Sequence, residues 1–256
     1  MNMKKCTEND RQKLNDYLDL DPALNLFFIG DIENFGFDKD FQHVYIDEDE
    51  DGIHAAYLVY RHNLCLQSYE DRRDQEFVDR LIREYNITSA GGESSLLDGY
   101  SFDLLPEKIE CSFAQMERKN EDIDTSGVVS LDLLDIDDIA ELQRICFPDN
   151  ADKDLDGLRL NLVTGTGRYF GIRENDKLVS MAGSTAECRS LGMVVDVCTH
   201  PDSRGKGLAT KCIAKLSNDL LQDNKMPCLF FGNPESGNLY RKIGYEDIAG
   251  WSMRKK

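Results

Sequence analysis

Apolar positions at helical spacing open the chain, at Leu14, Tyr17 and Leu18, and DPALNLFFIGDIENFGF follows, where Pro22 suits a first helical turn. Alternation of period two then takes over. FQHVYI, IHAAYLVY and NLCLQSY, from Phe41 to Tyr69, predict a three-strand meander whose first connection is the acidic, solvated turn Asp47 to Gly52. Phe77, Val78, Leu81 and Ile82 share one face of a helix predicted within 71–84, and IECSFAQM, from Ile109 to Met116, is strand-like.

Periodicity lapses over KNEDIDTSG, Lys119 to Gly127, a polar stretch that separates two predicted units. The expected division is a first domain at 1–118, a linker at 119–127 and a second domain at 128–256. In the second, GVVSLDL predicts a strand, and LLDIDDIAELQRICF and DKDLDGLRLNLV predict two helices. RYFGIRENDKLVSMAGSTAE predicts a hairpin with its tip at Glu174 to Lys177. Leu191 to His200 is apolar enough for a central strand that ends before Pro201. Leu208, Cys212, Ile213, Leu216 and Leu220 then form a helical stripe, followed by a strand at PCLFFG, a short helix at ESGNLYRKI and a last strand from Tyr245 to Met253.

The 256 residues suit two domains of about 100 to 150 residues each. A net charge of −18 argues against nucleic acid as the main partner, because such binding draws on Lys and Arg against phosphate. No signal-type apolar core opens the chain and no apolar run has membrane-spanning length, so the expectation is a cytoplasmic protein with no membrane partner. The eight cysteines show no CxxC pair and the four histidines no HxxxH pair; reduced core thiols and no metal site are expected.

Candidate chemistry gathers at CTHPDSRGKGLAT, Cys198 to Thr210. Glycines let backbone approach a ligand, and here they precede a helix N-terminus whose unpaired amides and dipole attract anions. Arg204 and Lys206 add positive charge. By itself the fragment fits equally well a glycine-rich turn with solvated basic residues. Neither a Walker loop nor a GxGxxG dinucleotide fingerprint is present.

With its surroundings the turn resembles the GNAT superfamily of acyl-CoA-dependent N-acyltransferases. Arg204, Gly207 and Ala209 match the Arg/Gln-x-x-Gly-x-Gly/Ala signature, and NPESGNLYRKIGYE matches the late pattern through Asn233, Tyr240 and Gly244. Ser236 stands where that family often has Ala, and Tyr245 where Phe is common. The resemblance covers about 127–256 and implies an α/β chain of two GNAT-like units, each a mixed, mostly antiparallel sheet flanked by helices. It implies acetyl-CoA as co-substrate, with no metal, in a cleft where two strands splay apart. Backbone groups of Val197, Cys198 and Thr199 would pair with pantetheine, and the amides of Gly205, Lys206, Gly207, Leu208, Ala209 and Thr210 would hold the pyrophosphate. Asn233 would bond to the cofactor or cap the following helix.

Transfer of an acyl group to an amine needs a neutral amine and a proton for the departing thiolate. Tyr240 resembles the family's general acid, the alternative being a packed Tyr that only touches the cofactor. Asp196 is a charged residue in an apolar run, either a base, directly or through water, or a carboxylate held by a neighbour. Strand alternation sends it to the face opposite Val195 and Val197. Cys198 has no recognisable base beside it and is expected to be a packed thiol. No RGxG-like turn occurs in 1–118, although its order of elements is similar to that of the second half. LNLFFIGDIENFGF also resembles the N-terminal portion of bacterial tandem acetyltransferases, so a degenerate copy is expected there. The functional expectation is N-acetylation of a primary amine of a small molecule or peptide. The alternatives are another acyl donor or a non-catalytic CoA-sensing module. Acceptor identity, acyl chain length and oligomeric state are not legible in the sequence.

Overall fold

The alternating runs of the first half become a meander of β2 (Gln42–Asp49), β3 (Gly52–Tyr60) and β4 (Asn63–Gln67). Their registers are antiparallel, from Gln42↔Tyr60 across β2 and β3 to Tyr60↔Asn63 across β3 and β4. The computed structural model describes residues 2–70, 72–148 and 155–256, and these fall into two units. The first comprises Met1–Phe113 together with Phe230–Gly232 and Ile248–Lys256; the second comprises Ala114–Leu229 and Asn233–Asp247.

In the first unit, β1 (Met3–Lys5) pairs antiparallel with β2, and α1 (Arg11–Leu18) and α2 (Leu26–Phe35) supply the expected N-terminal helices. After β4, helix α3 (Gln75–Glu84) crosses over and returns the chain as β5 (Ser89–Glu93), parallel to β4 at Leu64↔Ala90. A short α4 (Ser94–Leu97) and β6 (Glu107–Gln115) follow. The core has Tyr57, Val59, Leu64 and Leu66 from the meander packed with Phe77, Val78, Leu81 and Ile82, the apolar face of α3.

The second unit repeats this plan. β7 (Val129–Leu131) is shorter than the apolar run suggests, and a 3-10 turn at Leu133–Asp135 leads into α5 (Ile136–Cys146). Helix α6 (Leu155–Thr164) carries the predicted leucine spacing; the start expected for it at Asp152 lies outside the described residues. A meander of β8 (Tyr169–Glu174), β9 (Lys177–Thr185) and β10 (Leu191–Thr199) follows. Its first turn holds Asn175 and Asp176 at φ 51° and 63°, as tight hairpin turns require. Helix α7 (Leu208–Gln222) then crosses to β11 (Met226–Phe231), parallel to β10, before α8 (Pro234–Ile243) and β12 (Glu246–Lys255). Leu131, Ile139, Leu142, Tyr169, Leu178 and Met181 lie in the core beneath α5 and α6. The stretch 119–127 has no regular element and is tied to α7, Asn120 N–H donating to Asn218 Oδ1 at 3.0 Å and Lys211 pairing with Asp124.

Parallel pairing of β10 with β11 runs only from Leu191↔Met226 to Met193↔Cys228. Beyond it β10 keeps its register with β9, Val195↔Gly183 and Cys198↔Met181, so two residues, Asp196 and Val197, stand opposite Ala182 alone. This bulge overturns the strict alternation expected across Val195, Asp196 and Val197, because the extra residue is absorbed by Asp196 at φ 56°.

Candidate functional site

A cavity of about 420 Å³ opens in the second unit where β10 has left β11. Its wall is built from Val197, Cys198 and Thr199 at the end of β10, from Arg204, Gly205, Gly207, Leu208, Ala209 and Thr210 in the turn and the first turn of α7, and from Cys146, Phe147 and Leu239. Nine of the residues singled out in the sequence thus meet around one space. Cys146 and Phe147 come from the loop after α5; the rest of that loop, 149–154, lies outside the described residues.

The turn takes its shape from two glycines, Gly205 at φ 79° and Gly207 at φ 75°, a left-handed region costly to other residues. A Cβ on either would meet nothing within 4 Å, so the space in front of the backbone is open. Gly207 is the N-cap of α7 and brings no side chain to it. The first amides of an α-helix have no carbonyl within the helix, so those of Leu208, Ala209 and Thr210 present an anion site at the positive end of a fifteen-residue helix. A diphosphate fits these groups, and the residues present thus suit a CoA thioester.

Side chains outside the motif hold the turn in place. Glu174 Oε1 accepts from Lys206 Nζ at 2.9 Å and its Oε2 from Ser203 Oγ at 3.1 Å, and both contacts draw the carboxyl below its ordinary range. Lys206 is accordingly engaged with the β8–β9 hairpin and is not part of the cavity wall. Arg204 Nε donates to Thr199 O at 3.2 Å, closing the turn onto β10. Buried Ser180 on β9 donates to Cys198 O at 3.2 Å and meets Thr199 Oγ1 at 2.8 Å. Neither Glu174 nor Ser180 carries a motif; what marks them is only their place in a hairpin that turns out to border the turn.

Asn233, Tyr240 and Asp196 lie apart from the wall. Asn233 is exposed and caps α8, its Oδ1 accepting from Ser236 N–H at 2.8 Å with Pro234 in the first turn. Tyr240, on the same helix beside the wall residue Leu239, is buried, its ring edge-on to Tyr245 at 5.9 Å. Burial pushes its phenol above the ordinary value, so it stays protonated at neutral pH. Asp196 Oδ2 accepts from Tyr169 Oη at 2.7 Å. The Cys198 thiol is buried. Among the described residues no group of three His, Cys, Asp or Glu side chains could hold a metal, and no helix is long and apolar enough to cross a membrane.

The first unit differs at the corresponding crossover. Between β4 and α3 the chain runs SYEDRRD without glycine, and Asp74 caps α3, accepting from Phe77 N–H at 2.9 Å. A carboxylate there satisfies the amide and repels an anion, the reverse of Gly207.

Residues 162–253 match the model of the GNAT acetyltransferase family. Solved structures with the same fold include a GCN5-related N-acetyltransferase from Sphaerobacter thermophilus, 12% identical over 100% of this chain and 95% of that one, with a TM-score of 0.65. A tandem GNAT protein of the clavulanic acid biosynthesis pathway is 11% identical over 100% and 98%, with a TM-score of 0.58. A Drosophila protein aligns over 99% and 98% at 10% identity and a TM-score of 0.71. The comparison with curated proteins finds no match. Family match and whole-chain likeness agree with the repeated plan of the two units: residues 162–253 match the GNAT acetyltransferase family, in a chain whose fold is that of two GNAT-like units.

Proposed function

We propose that the chain is an acetyl-CoA-dependent N-acetyltransferase that acetylates a primary amine of a small molecule or peptide, with the catalytic site in the second unit. The observation that carries this reading is the cavity bounded by the end of β10 and the uncapped, glycine-built N-terminus of α7. In the proposal the amides of Gly205 to Thr210 bind the pyrophosphate, and Val197 to Thr199 lie along the pantetheine arm. The side-chain amide of Asn233 adds a cofactor contact beside its capping role.

Asp196 accepts a proton from the acceptor's ammonium group, directly or through water. The neutral amine then attacks the thioester carbonyl carbon. The new N–C bond forms, the C–S bond breaks, and the thiolate takes the proton of the Tyr240 hydroxyl, which its raised pKa keeps protonated until then. The amide nitrogen gives up its second proton, which restores the Tyr240 phenol through water, and Asp196 releases its own to solvent. The charge of −18 favours cationic acceptors through long-range attraction.

A thiol-release assay with acetyl-CoA across amines, amino acids, antibiotics and peptides tests the reading; turnover with at least one amine is expected. Tight CoA binding with no turnover on any of them would instead mark a sensor, and turnover confined to longer acyl-CoAs a different donor. Tyr240→Phe should lower kcat roughly 100-fold, within the usual range for a general acid, while acetyl-CoA binding is retained. An unaltered rate removes Tyr240 from the chemistry.

A further inference from the structure

Among the described residues seven other than glycine have positive φ, and six of them, Arg61, Asn86, Asn175, Asp176, Ala186 and Asn224, lie in connections between elements. Asp196 alone lies within a strand. Such a conformation is disfavoured for a residue with a side chain and persists only where its surroundings impose it. Three strands supply that imposition. Tyr169 on β8 stands opposite Gly183 on β9, and Gly183 opposite Val195 on β10, the residue before Asp196. The Tyr169 ring lies across Gly183: a Cβ there would sit 2.2 Å from Tyr169 Cε1 and 2.6 Å from Cδ1. From this path the hydroxyl reaches Asp196 Oδ2 at 2.7 Å, while the ring is only 2% exposed.

We propose that Tyr169, given its path by Gly183, is a positioning residue that fixes the Asp196 carboxylate for proton acceptance from the acceptor amine. This rests on the assignment of Asp196 as base made above. A hydroxyl that donates to one oxygen of the carboxylate holds the second in one direction. The donor is permanent, because burial and the adjacent carboxylate push the Tyr169 phenol far above its ordinary range. Cys198, on the strand of Asp196, also bears on that phenol. Of the charged groups on the helices packed on the sheet, Lys211 pairs with Asp124, Lys215 with Asp219 and over the Phe170 ring, and Asp138 of α5 with Arg173.

The test uses the full chain in four forms: wild type, Tyr169→Phe, Gly183→Ala and Asp196→Asn, each checked for folding by circular dichroism. The Asp196 carboxyl is followed through its 13C chemical shift at fixed pH in the first three. Tyr169→Phe should move that signal, through loss of the hydrogen bond from the phenol, and Gly183→Ala should move it the same way by displacing the ring. With acetyl-CoA and the amine that gives the highest rate in the panel, Tyr169→Phe should lower kcat/KM for the amine about tenfold, the worth of one charge-assisted hydrogen bond, while KM for acetyl-CoA stays unchanged. An unmoved carboxyl signal and an unchanged kcat/KM in Tyr169→Phe, with Asp196→Asn impaired, overturns the positioning role and leaves Asp196 as base. Wild-type activity in Asp196→Asn overturns both.

Discussion

Asn233 and Tyr240 stand seven residues apart in one motif, and their surroundings differ. Asn233 is exposed and its oxygen already serves Ser236, so Asn233→Ala should lose about 1 kcal/mol of stability, the usual worth of such a cap. Asn233→Ser keeps a capping oxygen and should regain that stability in a thermal melt. Its affinity for acetyl-CoA should stay about fivefold weaker, the loss of one neutral hydrogen bond; wild-type affinity would confine Asn233 to the cap. Glu187 carries a buried charge network in the second unit. Only 3% exposed, it accepts from Arg168 Nη2 at 2.7 Å, Lys225 Nζ at 2.9 Å and Ser184 Oγ at 2.5 Å. Burial opposes ionisation of its carboxyl, but these partners prevail and its pKa lies below the ordinary value. Its stabilisation is therefore present above the unfolded carboxylate range, about pH 4.3, and is lost as pH falls through the folded value. Glu187→Gln should destabilise the unit by about 3 kcal/mol at pH 7 in urea titrations, and the gap to wild type should close as pH falls through that window. A constant gap would show that the charge is not the origin. Of all these residues only those inside the motifs were legible in the sequence. Tyr169 and Ser180 act through strand register, and Glu187 through contacts from a connection to residues distant in sequence, neither of which a local pattern encodes.

At the scale of elements, long amphipathic segments were legible and irregular ones were not. Phe77, Val78, Leu81 and Ile82 are the buried face of α3, and the stripe from Leu208 to Leu220 is that of α7. β5 was missed because SAGGE has no side-chain alternation. Its glycines instead admit neighbours, a Cβ at Gly91 falling 3.2 Å from Trp251 Nε1 and one at Gly92 2.5 Å from Leu97 Cδ1. The bulge in β10 was missed because LGMVVDVCTH alternates no differently where the extra residue enters. The N-terminus of α7, by contrast, was predicted from glycine spacing, and its geometry makes a definite demand. Gly207→Val puts a β-branched residue at φ 75°, costing about 1 to 2 kcal/mol, and projects a side chain in front of the amides. Acetyl-CoA binding measured by calorimetry should be abolished while the chain remains folded. Unchanged affinity would refute the pyrophosphate assignment.

The same succession, meander, crossover helix, parallel strand, occurs twice in the chain, but only the second crossover begins on glycine. The repeat was visible in the order of predicted elements. The assignment of the last strand was not, because nothing in EDIAGWSMRK states its partner. Residues Ile248–Lys256 belong to the first unit, where Trp251 to Lys255 pair with Glu93 to Ser89. Trp251, 5% exposed, contacts the Phe113 and Phe230 rings of that unit at 5.8 and 5.1 Å. A segment from the far end of the sequence thus completes the sheet of residues 1–113. Burial of a Trp is worth about 3 to 5 kcal/mol against its truncation to Ala, a large share of a domain's net stability. Removal of Ile248–Lys256 should therefore unfold or loosen the first unit although every residue of 1–113 remains. By hydrogen exchange the amides of Ser89 to Glu93 should lose protection. Those of Leu191 to Val195, whose ladder partners are on β9 and β11, should keep more of theirs. Trp251→Ala should move both sets in the same directions by a smaller amount. Retained protection at Ser89 to Glu93 in the truncated chain would mean that the first unit holds its sheet without the C-terminal strand, and that its core, led by Tyr57, Phe77 and Leu81, suffices.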